Sequence, residues 1–246
     1  MGFQPDFFTC TYGAGGSTQE KTLQIINHIK QKFNVPVASH LTCVGSTVDQ
    51  LRDYLEQAKS MSVDCIMALR GDPPKGETKF VAPEGGLSYA NELVDLIHGE
   101  YKNFGIMVAG YPEKHLEAPS LDVDLDNLKR KVDAGADAIV TQLFYDNTDF
   151  YRFRDLCDKK GINVPLVPGL LPVTSLAQIK RITSMCGAKL PMDFVAALEN
   201  DPSEKEQFEV GVAHAVAQTQ DLIANQVAGL HYYVLNKSDA TKRILD

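Results

Sequence analysis

The sequence predicts an α/β fold, a (β/α)8 barrel of the TIM type, on three observations. Short apolar and β-branched runs alternate with amphipathic stretches, no Pro/Ser-rich linker or charge run interrupts them, and polar residues collect where the apolar runs end. Parallel neighbours need a crossover, which each amphipathic stretch can supply. One barrel domain over residues 1–246 is therefore expected in preference to two small sheets.

Phe7 to Thr11 reads as the first strand, closed by Gly13-Ala14-Gly15-Gly16; this turn is not GxGxxG, so it is assigned a turn role. Ser17/Thr18 followed by Glu20 opens the first helix, with Leu23, Ile26, Ile29 and Phe33 as its buried face. The alternation continues with strand Val37 to Thr42, helix Thr47 to Met61, strand Cys65 to Leu69, helix Tyr89 to Tyr101, strand Ile106 to Ala109 and helix Leu121 to Ala134. Then come strand Ala138 to Gln142, helix Asp149 to Lys159, strand Leu166 to Val167 and helix Ser175 to Cys186. Helical segments Met192 to Glu199 and Glu204 to Gln226 precede a last strand, Leu230 to Leu235. The count is about seven strands, where a closed barrel of this kind has eight. Only a few residues precede Phe7, so the first strand and helix are expected to be absent.

Composition narrows the function. A net charge of −8 and a pI near 5.3 oppose a nonspecific grip on nucleic acid or anionic membrane, both of which need a basic surface. A small-molecule substrate is the better fit. Cys10, Cys43, Cys65, Cys157 and Cys186 show no CxxC or Cys/His spacing, which points to reduced cytoplasmic thiols and to neither a zinc site nor a disulfide framework. No apolar run reaches the ~20 residues of a membrane span.

In a barrel the site forms at the C-terminal strand ends. There the sequence places Thr11-Tyr12, His40 with Thr42, Arg70-Gly71-Asp72, Tyr111 with His115, Gln142, and Asn236-Lys237. Buried polar groups need partners, so packing alone does not account for so many of them. Arg70-Gly71-Asp72-Pro73-Pro74 sets a cation and a carboxylate about a glycine that admits close backbone approach; the competing reading is a local ion pair in a turn. On the helix after Leu121, Leu125, Leu128 and Val132 continue an apolar stripe, while Asp124, Asn127 and Lys131, flanked by Arg130, form a polar one. That second stripe is either a solvated face or a grip on a nucleotide cofactor.

Taken in order, Thr11-Tyr12-Gly13, His40-Leu41-Thr42-Cys43, Leu69-Arg70-Gly71-Asp72, Tyr111-Pro112-Glu113 with His115, Leu128 to Ala136, Thr141-Gln142 with Phe144 and Asp146, Pro168-Gly169 with Leu171-Pro172, and Tyr233 to Asn236 resemble the methylenetetrahydrofolate reductase family. The resemblance implies a flavin-binding barrel. It also implies FAD contacts from Thr11, His40, Arg70, Gly71, Asp72, Tyr89, Ala90, Ala109, Tyr111, His115, Asp124, Asn127, Arg130 and Lys131. Asp72 and Gln142 would be the catalytic pair, with Thr11, Asp72, Tyr111, Gln142, Gln178 and Lys237 around the folate. NAD(P)H would be the co-substrate of a ping-pong reduction of 5,10-methylenetetrahydrofolate to 5-methyltetrahydrofolate, a step of one-carbon metabolism and methionine biosynthesis. A homo-oligomer stays open. The family's first-strand glutamate, the general acid expected for opening the folate ring, has no counterpart here. The alternatives are a flavin-binding fragment or partner subunit without turnover, and a phosphate-handling aldolase or isomerase. The latter requires a Schiff-base lysine or a late glycine-rich loop.

Overall fold

The computed structural model describes residues 4–11, 19–73, 76–77, 79–200 and 203–246. The fold is α/β, built from successive parallel β–α steps, consistent with a (β/α) barrel. It divides into two compact units, Met1–Ala109 with Arg130–Ala138, and Gly110–Lys129 with Ile139–Asp246. The Gly13-Ala14-Gly15-Gly16 turn and the Ser17/Thr18 helix start lie outside the described residues.

The first unit runs β1 (Phe8–Cys10), α1 (Gln19–Phe33), β2 (Val37–Thr42), α2 (Val48–Ser60), β3 (Cys65–Leu69) and α3 (Ala90–Glu100), and enters β4 (Gly105–Gly110). β1, β2, β3 and β4 pair in parallel in sequence order, with Phe8 level with Val37, Ala38 with Cys65 and Cys65 with Gly105. Strands covered on both faces are apolar almost throughout; Val37, Ala38, Leu41, Ile66, Met67, Ala68, Ile106 and Val108 are all buried. α2 starts at a Thr47/Gln50 capping box and buries Leu51, Tyr54, Leu55 and Ala58 at helical spacing. α1 buries Thr22, Leu23 and Ile26, but Phe33 is 37% exposed. Left-handed Asn34 (φ 50°) turns the chain toward β2 directly after it, so the expected apolar stripe ends a turn early.

The second unit contains most of α4 (Leu121–Asp133) and of β5 (Ala138–Thr141). There follow α5 (Asn147–Lys159), β6 (Leu166–Val167), β7 (Gly169–Leu170), α6 (Leu176–Cys186), α7 (Met192–Asn200), α8 (Glu204–Ala224), β8 (His231–Tyr232) and α9 (Asp239–Leu245). β6 lies parallel to β5, and β7 parallel to β8. Pro168, which has no N–H to give a ladder, separates β6 from β7, so the strand expected at Leu166 to Val167 is continued by a second short one. Gly169 is obligatory: a Cβ there would lie 2.1 Å from the Thr141 carbonyl oxygen. Its N–H donates to Thr141 Oγ1 at 2.9 Å.

Phe144 and Phe150 stack with centroids 5.6 Å apart and pack with Leu170 and Leu222; each buried phenylalanine contributes roughly 2–3 kcal/mol. The last strand stops at Tyr232 rather than Leu235, because its partner β7 ends at Leu170; Leu235 (φ 46°) and Asn236 (φ 61°) then adopt left-handed backbone. α9, not expected from sequence, is tied to α8 by a two-bond Arg243–Glu209 pair. Among the described residues no helix is long and apolar enough to cross a membrane. All five cysteines are free thiols.

Candidate active site

In the first unit the loops after β2 and β3 are stitched together. Cys43 N donates to Leu69 O at 3.1 Å and Val44 N to Arg70 O at 3.0 Å, which prolongs the ladder beyond both strands. Gly71 follows with φ 88°; a Cβ on it would meet Val44 Cγ1 at 2.6 Å, so only glycine lets the chain turn against β2's exit. The Arg70 guanidinium lies 5.1 Å over the Phe80 ring, and its Nε donates to Gly71 O at 3.2 Å. Asp72 is exposed just past β3. Pro74 lies outside the described residues. Burial pushes the Cys43 thiol up to about 12, which favours its protonated form at neutral pH.

His40 sits half-buried on β2, level with Met67, and Thr11 follows β1, its carbonyl accepting from Thr22 Oγ1 at 3.4 Å. Tyr89, 61% exposed, stands at the N-cap of α3, whose first residue is Ala90. The Glu92 carboxylate accepts from Ser88 N and Tyr89 N at 2.7 and 3.2 Å and fixes this helix start. At the end of β4, Ala109 O accepts from the Lys131 ammonium. Lys131 is thus held at a strand end rather than on a solvated face, whereas Arg130 is exposed.

In the second unit Tyr111 and His115 meet edge to face, with centroids 4.6 Å apart. His115 Nδ1 accepts from Glu117 N at 3.1 Å, which leaves the proton of a neutral imidazole on Nε2. The Asp124 carboxylate accepts from His115 N at 2.9 Å, so it too turns toward the loop after β4; Asn127 is exposed. Gln142, one residue past β5, donates its N–H to Gly110 O at 2.8 Å, and its Oε1 accepts from Leu143 N at 3.0 Å. With its oxygen engaged, the amide has its NH2 left to act as a donor.

Gln178 and Lys237, far apart in sequence, line one open hollow of about 620 Å³, where Thr174 and Lys205 also stand and the Glu204 and Asp239 carboxylates balance the two ammonium groups. This is the size range of small-molecule sites. Thr174 Oγ1 donates to Gln178 Oε1 at 2.6 Å, which engages the amide oxygen. Lys237 reaches the hollow from the left-handed turn after β8, where its N–H donates to Val234 O at 2.7 Å. Sequence reasoning missed Thr174 and Lys205. The spacing of a hydroxyl four residues before the Gln178 amide was a usable signal for the first. Gly169 and Leu170 form strand β7, so the Pro168-Gly169 step is strand rather than an open glycine-rich loop.

Parallel β–α steps with polar groups past the strand ends define the class of α/β proteins consistent with a (β/α) barrel. The family model for methylenetetrahydrofolate reductase matches residues 1–246, and the chain belongs to that family. It is similar, at 40% identity over 256 residues, to methylenetetrahydrofolate reductase (NADH) 1 of Arabidopsis thaliana, covering 100% of this chain and 43% of that protein. It is also 38% identical to the 5,10-methylenetetrahydrofolate reductase of Escherichia coli K12, over 98% of this chain and 79% of that one. The chain therefore spans about two-fifths of the plant relative's length. The fold is similar to that of a Clostridium thermocellum protein described as binding two copies of 5-methyl-5,6,7,8-tetrahydrofolic acid, with a TM-score of 0.53 at 13% identity, covering 97% of this chain and 92% of that chain.

Proposed function

We propose that the chain reduces 5,10-methylenetetrahydrofolate to 5-methyltetrahydrofolate with NAD(P)H, using FAD in a ping-pong sequence. The reading is supported by the family match and carried by one geometric observation, the hollow shared by Gln178 and Lys237.

The donor set fits FAD. Arg70 and Lys131 are cations held at strand ends, and Arg130 stands beside Lys131, which suits a diphosphate. Asp124 and Asn127 suit ribose hydroxyls, and Gly71 brings bare backbone alongside a ring system. When bound, FAD supplies the hydride relay between nicotinamide and folate. Asp72 sets a carboxylate past β3, where it would bond the pterin and oppose negative charge building beside it. Gln142, its oxygen held by Leu143 N, donates through its NH2 to the heterocycle edge. Gln178 does the same inside the hollow, and the Lys237 ammonium attracts a carboxylate of the folate side chain.

The test is a pair of titrations on purified protein. FAD should be taken up with a shift of its visible absorbance. Binding of 5-methyltetrahydrofolate should weaken about tenfold in Gln178→Ala and in Lys237→Ala, with FAD affinity unchanged. Unaltered folate affinity in both variants removes the hollow from the substrate site, and a chain that takes up no FAD contradicts the cofactor assignment.

A further inference from the structure

Glu113 lies between Tyr111 and His115 on the loop after β4, and its side chain is only 6% exposed. Both carboxylate oxygens accept from a single backbone donor, Lys189 N, at 3.1 and 3.0 Å. Among the described residues its one ion-pair contact within 4.0 Å is with the exposed Lys189 ammonium, at 4.0 Å. Buried carboxylates normally collect several donors or a close cation, and this one has neither. Burial holds its carboxyl above the usual range, and the neighbouring Asp149 carboxylate pushes the same way. The Lys189 N–H, the Lys189 ammonium and Arg152 pull in the opposite direction.

A second contact joins the same two segments. Gly187, the left-handed C-cap of α6 (φ 78°), leaves room for Leu116, whose Cδ2 would lie 2.4 Å from a Cβ there. The loop carrying Tyr111 and His115 is thus fastened to the α6–α7 connection at Glu113 and again at Leu116. The fold does not require a charge at the first point; a neutral group there would be easier to bury.

We propose that Glu113 is a positioning residue: its carboxylate, clamped on Lys189 N, holds the loop after β4 so that the Tyr111/His115 pair is preset for the flavin. This rests on the FAD reading given above. A brace that served only the fold would lower stability when removed. A positioning group buried at a cost to the fold behaves in the opposite sense. A carboxyl whose folded pKa is raised loses stability as pH climbs from its unfolded value through its folded one, so at neutral pH the ionised form opposes folding.

The experiment compares wild type, Glu113→Gln and Glu113→Asp by FAD titration, thermal unfolding of the FAD-free protein, and hydrogen exchange at the Lys189 amide. The expected result for Glu113→Gln is FAD affinity weakened about tenfold, an unfolding midpoint equal to or above wild type, and faster exchange at Lys189. Glu113→Asp keeps the charge one methylene short of Lys189 N and should also weaken FAD binding and speed exchange. On acidification, FAD affinity of wild type should fall as Glu113 protonates, and this component should vanish in Glu113→Gln. The other groups facing Glu113 are Asp149 and Arg152 of α5, Cys186 of α6 and Lys189. All four are present in both proteins, so the difference between the two profiles belongs to Glu113. Unchanged FAD affinity in both variants overturns the inference while leaving the cofactor reading intact. A lowered midpoint that accompanies the lost affinity makes Glu113 a structural brace and overturns it too. Wild type that takes up no FAD removes the cofactor reading and this inference with it.

Discussion

The two ends of the strands in the first unit use their polar groups differently. At the N-terminal ends two carboxylates, Asp64 and Asp137, are engaged in starting strands. Asp64 accepts from Val37 N at 2.8 Å and pairs with the Lys30 ammonium, and Asp137 accepts from Ile106 N at 2.7 Å. Gly105 N then donates to Asp64 O at 3.0 Å, which joins one strand start to the next. At the C-terminal ends Asp72 is exposed, Arg70 lies over a ring, and Lys131 reaches a main-chain carbonyl. The first arrangement is what folding alone asks for. The second sets charges where a ligand can use them, the division of labour expected of barrel strand ends.

Substitutions should widen or erase this contrast. The largest effect is expected for Gly71→Ala, which combines backbone at φ 88° with a Cβ 2.6 Å from Val44 Cγ1; it should destabilise by about 3 kcal/mol in denaturant unfolding. Even at the ligand-facing end, then, one position is fixed by sterics. Asp64→Ala leaves Val37 N without its carboxylate and Lys30 without its pair, and should cost about 2 kcal/mol by the same measurement. If it costs nothing, the fold-serving role of the N-terminal ends is wrong.

A strand start in the second unit offers a pH-dependent version. Burial lowers the His231 pKa to about 4, from an ordinary 6.5, at the first residue of β8. A base with a depressed folded pKa favours the neutral form in the fold. The stability it allows is therefore present above the ordinary pKa and is lost as pH falls from there through the folded value. Between about pH 8 and about pH 5 this amounts to roughly 2 kcal/mol. Comparing the acid limb of wild type with that of His231→Phe checks it, and identical limbs would contradict the assignment. The smallest stability effect is expected for Asp72→Asn, within about 0.5 kcal/mol of wild type, even as folate reduction slows at least about tenfold.

The β–α order was legible because hydrophobic periodicity is local, and so were the helix starts at Thr47 and Ser175, whose side chains cap their own helices. The exceptions were decided by tertiary contacts or by single dihedrals. α9 is held by the Arg243–Glu209 pair, a contact with no sequence-local trace. The apolar run after Tyr232 continues to Leu235, but the strand has already ended where its partner β7 runs out at Leu170, and a left-handed turn follows at Leu235 and Asn236. At the site, residue types at strand ends pointed to Arg70, Asp72 and Gln142, but spacing could not show that the polar stripe of α4 turns Asp124 and Lys131 toward strand-end loops. Glu113 was visible within the Tyr111-Pro112-Glu113 motif but was given no role, since a carboxylate in a loop is ordinarily solvated. Its burial follows from the α6–α7 connection arriving over it, many residues later in the chain.

The central claim is that groups past the strand ends carry FAD-dependent folate reduction. The most direct measurement is an anaerobic two-step experiment on FAD-loaded protein, adding NADH or NADPH first and 5,10-methylenetetrahydrofolate second. The account predicts bleaching of the flavin band, then its return with 5-methyltetrahydrofolate formed in proportion to flavin, and loss of the second step in Asp72→Asn. A band that never bleaches, or one that bleaches and is not restored by the folate, would contradict it.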